Sequence, residues 1–86
     1  MEPSIRCKIL VVDDDPTIRQ ATTEVLKTGG YQVLSASDGA TALELVRTQR
    51  PTLVMLDVVM EELDGLETCR RIKESAGHDA PLVILA

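Results

Sequence analysis

The chain predicts an α/β fold, a doubly wound parallel sheet with helices on both faces. Short apolar runs rich in β-branched residues recur four times, at residues 9–12, 31–36, 52–56 and 81–86. Between successive runs lies a stretch long enough for one helix, with connections of only a few residues. Strands alternating with helices in this way need right-handed crossovers, and those place the strands parallel and the helices on both sides. At 86 residues the chain is a single domain, 1–86, with room for one core.

The first run, Ile9 to Val12 in "KILVVDDDP", is too short for a helix and reads as a strand buried on both faces. Asp15 followed by Pro16 is a helix start, an acceptor at the cap and a proline at the first helical position; Ile18, Ala21 and Val25 follow at i, i+3 and i+7. "TGG" stops that helix, with Gly29 or Gly30 supplying a left-handed cap. "YQVLSA" is the second strand. In "SDGATALELVRTQRP" the residues Ala42, Leu43 and Val46 share one helical face, and Pro51 forbids continuation. "TLVML" is a third strand running into Asp57. Asp64 caps a third helix with Leu66, Cys69 and Ile72 on one stripe, and "AGHDAP" leads into the last strand.

Composition narrows the function. Nine basic residues against fourteen acidic ones give a net charge of −5, which repels nucleic acid phosphates and anionic membrane surfaces, so neither is an expected partner. Tyr31 is the one aromatic residue, too few for a base-stacking surface. No stretch approaches the roughly 18 apolar residues of a membrane span, and no secretion signal is visible, so the default location is cytoplasmic. Cys7 and Cys69 are far apart and lack metal-ligand spacing; both read as buried or half-buried thiols rather than a disulfide.

In open parallel sheets, ligands bind beyond the carboxyl ends of the strands. Here those ends are acidic. The first strand runs into Asp13, Asp14 and Asp15 and the third into Asp57. Crowded carboxylates cost energy unless a cation sits among them, and hard oxygen donors with room for water suit Mg²⁺. An aspartate held beside Mg²⁺ at a rigid strand end can also act as a nucleophile toward phosphorus. The bland alternative is that Asp13 to Asp15 merely cap a helix while Asp57 is a solvated strand-end residue.

Three stretches, "KILVVDDDPTIR", "ASDGATALELV" and "PTLVMLDVVMEELDGLE", together resemble a response-regulator receiver domain, and the resemblance spans almost the whole chain. It implies a flavodoxin-like sheet of order 2-1-3-4. It also implies that Asp57 is both the phosphoacceptor and a metal ligand and that Asp14 binds Mg²⁺ directly with Asp13 assisting, the backbone carbonyl of Val59 completing the protein's ligands. Such a domain is a receiver rather than an enzyme, catalysing at most the phosphorylation and dephosphorylation of its own aspartate. Its phosphoryl donor is a sensor histidine kinase or a phosphotransfer protein.

The chain departs from the family pattern twice. Glu61, with Glu62 beside it, stands where members usually have proline; the two carboxylates form a solvated acidic loop, add metal ligands or repel a phosphoryl anion. The sequence also stops at Ala86, where a hydroxyl residue is expected, so the usual fifth strand, last two helices and phosphate-pairing lysine are not in it. One alternative function is therefore a truncated receiver acting as a non-switching docking or dimerisation module. A flavin or nucleotide binder is a third reading, poorly supported without a glycine-rich phosphate loop. His78 and the basic cluster Arg70, Arg71 and Lys73 read as solvated positions, and Ser4 and Cys7 lack the adjacent base a nucleophile needs.

With order 2-1-3-4, the first helix lies on one face and the other two on the opposite face. That leaves the third and fourth strands bare beside the first helix. At about 25 cal/mol per Å², a few hundred Å² of exposed aliphatic surface represents several kcal/mol, comparable with the stability of a small domain. The expectation is self-association, or a partner, covering the edge from Pro81 to Ala86.

Overall fold

The computed structural model describes residues 7–57, 65–76 and 81–85. Its elements follow the predicted order: β1 (Lys8–Val12), α1 (Pro16–Thr28), β2 (Gln32–Ala36), α2 (Gly39–Gln49), β3 (Leu53–Leu56), α3 (Gly65–Ala76) and β4 (Leu82–Leu85). The four strands form one parallel sheet of order β2-β1-β3-β4, as expected. No fifth strand occurs among the described residues, and no helix there is long and apolar enough to cross a membrane.

Local chemistry sets the boundaries. Asp15 caps α1, its Oδ1 accepting from the amides of Thr17 at 2.9 Å and Ile18 at 3.4 Å, with Pro16 at the first helical position where no amide is needed. Of the two glycines after the helix, Gly30 holds the positive φ, +92°, while Gly29 stays right-handed. Asp38 caps α2 through Thr41 at 2.7 Å, and Arg50 ends it in the left-handed region at φ +50°. Arg50 is an uncommon choice there, since a side chain at positive φ is strained. Lys8 reaches across from β1, its Nζ donating to the Gln49 carbonyl at 2.9 Å, which satisfies one of the orphan acceptors of that helix end.

The core lies on one face of the sheet. Leu10 and Val12 of β1, Ala36 of β2, and Val54 and Leu56 of β3 meet Ala42 and Val46 of α2 and Ile72 of α3, all buried. These strand positions alternate, so their register neighbours (Leu10 beside Val54, Val12 beside Ala36 and Leu56) stack into one aliphatic layer. As the central strand, β1 is also buried on its other side through Ile9 and Val11.

The opposite face is thinner. There α1 packs on β2 and β1, yet none of its residues is buried. The apolar stripe read from the sequence is not the face it turns to the sheet: Val25 is 71% exposed and Ile18 52%, while Arg19, Thr22, Thr23 and Leu26 are the half-buried positions. Leu82 and Ile84 of the edge strand β4 are exposed by 66% and 45%. The expected bare surface beside the first helix is present. Cys7 corrects its expectation: it is exposed, because it precedes the first strand, whereas Cys69 is half-buried and both are free thiols.

Candidate functional site at the strand ends

The parallel ladder continues one residue past β1 and β3, and this is what fixes the acids. The Asp13 amide donates to the Ala36 carbonyl at 3.2 Å, and the Asp57 amide donates to the Val12 carbonyl at 3.0 Å. Both carboxylates therefore spring from backbone held on the sheet. Asp14 follows directly and is exposed, while Asp13 and Asp57 are half-buried. One carboxylate oxygen from each of Asp13, Asp14 and Asp57 lies within 4.8 Å of the others, the single such grouping among the described residues.

Burial pushes the Asp13 carboxyl above its usual range. The Asp15 amide, donating to Asp13 Oδ1 at 2.9 Å, pulls the other way, and the facing Asp57 and neighbouring Asp14 carboxylates raise it again. A cation among these oxygens relieves both the desolvation and the repulsion. The donor set fits Mg²⁺. An octahedral ion with bonds near 2.1 Å places adjacent ligand oxygens about 3 Å apart and opposite ones about 4 Å apart. Three oxygens already within 4.8 Å need only draw in slightly, and the exposed side leaves room for waters.

Asp15, the third acid of the run, caps α1 instead. Val59, Glu61, Glu62, Asp64, His78 and Ser4 lie outside the described residues, as does the side chain of Leu66. The basic cluster on α3 is not a bare patch. Arg70 binds Glu67 and Glu74, and Arg71 binds Glu67 at 2.9 Å; hydrogen bonds from Arg70 and then Arg71 lower the Glu67 carboxyl to about 2.

Two features escaped the sequence reading. Thr68 is fully buried on α3 between the half-buried Glu67 and Cys69. Arg19, half-buried in α1, donates from Nη1 to the Asp13 carbonyl at 2.8 Å. Its only signal in the sequence is a lone cation six residues beyond the first acid. Beside the acids, an open groove of about 280 Å³ runs between α1 and β3, with Ile18, Thr22 and Met55 on its walls and Asp13 and Asp57 at its end.

A family model for the response regulator receiver domain matches residues 9–86. The chain is 47% identical over 78 residues to the response regulator MprA of Mycobacterium sp. (strain KMS), covering 91% of this chain and 34% of the relative. The figures for MprA of Mycobacterium leprae (strain TN) are 46%, 91% and 34%. Among solved structures, the N-terminal domain of a response regulator receiver protein from Methanoculleus marisnigri JR1 superposes with a TM-score of 0.84 at 43% identity, over 91% of this chain and 63% of that one. The chemotaxis protein CheY4 of Vibrio cholerae does so with a TM-score of 0.88 at 29% identity, over 93% and 67%. The chain thus spans about a third of the length of the curated relatives it matches.

Proposed function

The chain belongs to the response-regulator receiver family, and on that premise we propose that Asp57 accepts a phosphoryl group while Asp13 and Asp14 hold Mg²⁺. The observation that carries the reading is the meeting of the three carboxylate oxygens within 4.8 Å at two adjacent strand ends. Asp57 is the acid proposed to react because it closes β3 on an anchored amide, half-open to solvent and facing the acids that follow β1. Its carboxylate oxygen attacks phosphorus, forming an acyl phosphate as the bond from phosphorus to the donor's leaving atom breaks. With a phosphohistidine donor, the leaving imidazole takes up a proton. Mg²⁺ supplies neutralisation of the charge gathered on the phosphoryl oxygens. The remaining protein ligands in this proposal are the Asp57 carboxylate and the Val59 carbonyl. The partner is a sensor histidine kinase or a phosphotransfer protein, and the location is the cytoplasm.

Acetyl phosphate with Mg²⁺ tests this. The expected result is a hydroxylamine-labile phosphoryl adduct on the parent chain and none on Asp57→Ala. An adduct of equal yield on the variant, or none on the parent, would overturn it.

The exposed Leu82 and Ile84 on an edge strand support a second proposal: the chain self-associates through β4. An uncovered strand edge offers unpaired amides and carbonyls to another strand. Sedimentation of the parent and of Ile84→Lys should show a dimer weakened by the substitution; a parent that stays monomeric at high concentration excludes it.

A further inference from the structure

We propose that Arg19 is a positioning residue for the cation-binding acids, acting through the main chain of Asp13. The inference rests on the metal-site reading above. The β1 ladder ends at the Asp13 amide, on Ala36, so Asp14 leaves the sheet with no ladder bond of its own among the described residues. What orients it is the peptide that joins it to Asp13. That unit is planar, and fixing its carbonyl fixes the direction in which the Asp14 Cα departs.

Arg19 Nη1 donates to that carbonyl at 2.8 Å from a half-buried position. The donor is itself anchored: the Arg19 amide bonds to the Asp15 carbonyl at 2.9 Å, within the turn that Asp15 caps. Asp13 is therefore held at its amide by Ala36, at Oδ1 by Asp15 and at its carbonyl by Arg19. A guanidinium bond to a carbonyl is charge-assisted and stronger than a neutral one. Of the three, it is the one that ties the acidic loop to the body of a helix.

A positive charge near the acids also repels a divalent cation. The two roles predict opposite signs. If Arg19 acted only as a charge, its removal would tighten Mg²⁺ binding; as a positioning group, its removal loosens binding, because the ligands lose their preset geometry. Outer-shell partners of metal ligands typically contribute about 10-fold or more in affinity.

Mg²⁺ titration of the full chain, followed by amide shifts near the acids, separates these outcomes. Arg19→Met keeps the aliphatic stem and removes the donors, and its Kd should rise about 10-fold, with Arg19→Lys restoring most of the loss. A Kd for Arg19→Met equal to or below that of the parent overturns the inference. Should Arg19→Met lose its fold, the parent still decides: by reciprocal coupling, Mg²⁺ must slow exchange of the Arg19 guanidinium protons, and unchanged exchange overturns it. A parent that does not bind Mg²⁺ fails the metal reading itself and takes this inference with it; a parent that binds, beside a variant that binds equally, overturns the role of Arg19 alone.

Discussion

The two faces of the sheet are made of the same aliphatic residues in alternating positions, yet only one is finished. On the face covered by α2 and α3, Leu10 and Val54 are fully buried and Leu56 nearly so. On the α1 face, Leu82 and Ile84 stand open, and Ile18 and Val25 of the helix are exposed as well. Stability is therefore concentrated on one side. On this same side the groove between α1 and β3 ends at Asp13 and Asp57.

The largest effect should come from one substitution made on both faces. Leu10→Ala deletes a fully buried side chain and should cost about 2–5 kcal/mol. In the monomer, Leu82→Ala, at a position 66% exposed, should cost about 0.5 kcal/mol. Urea denaturation of both reads the contrast. A Leu82→Ala loss matching that of Leu10→Ala would show that the open face is covered in solution.

A smaller effect of opposite sign is expected where the open face meets the acids. Asp13→Asn keeps an acceptor for the Asp15 amide and removes one of three crowded charges. Without metal it should stabilise the fold by about 1 kcal/mol, while weakening Mg²⁺ binding. Thermal melts with and without Mg²⁺ should thus change rank between parent and variant. A variant less stable than the parent without the ion would deny that the cluster is strained.

The smallest change expected is on the finished face, at the start of α2. Asp38→Ala removes the cap on Thr41 and should cost about 1 kcal/mol or less. Its pH dependence has a definite sign. The Thr41 amide holds the Asp38 carboxyl below its ordinary value, so the folded state releases that proton more readily than the unfolded chain. The contribution is complete above the ordinary aspartate range and is lost as pH falls through the lowered folded value. Parent and variant should therefore converge in stability on acidification; a gap that stays constant down to pH 2 would exclude this cap.

Much of this was legible beforehand. The four apolar runs located the strands to within a residue, because a charged, glycine or proline position borders each run. Asp13, Asp14 and Asp57 were legible as a group because the carboxyl ends of adjacent parallel strands must lie side by side. The α1 face was not. Apolar spacing shows that a helix has a stripe, but which stripe meets the sheet depends on what else covers that sheet. Nor were the cap at Asp38, the left-handed Arg50 or the bond from Arg19, each of which depends on one local geometry rather than on a repeated pattern.

The sequence by itself determined the order of elements, the parallel sheet and the acidic residues at its carboxyl end, since those follow from periodicity and from residue types close along the chain. Tertiary structure alone decided that carboxylate oxygens from two strand ends meet within 4.8 Å and that one face is left open. Distances between groups more than forty residues apart are set by register and crossover, and no local pattern encodes them.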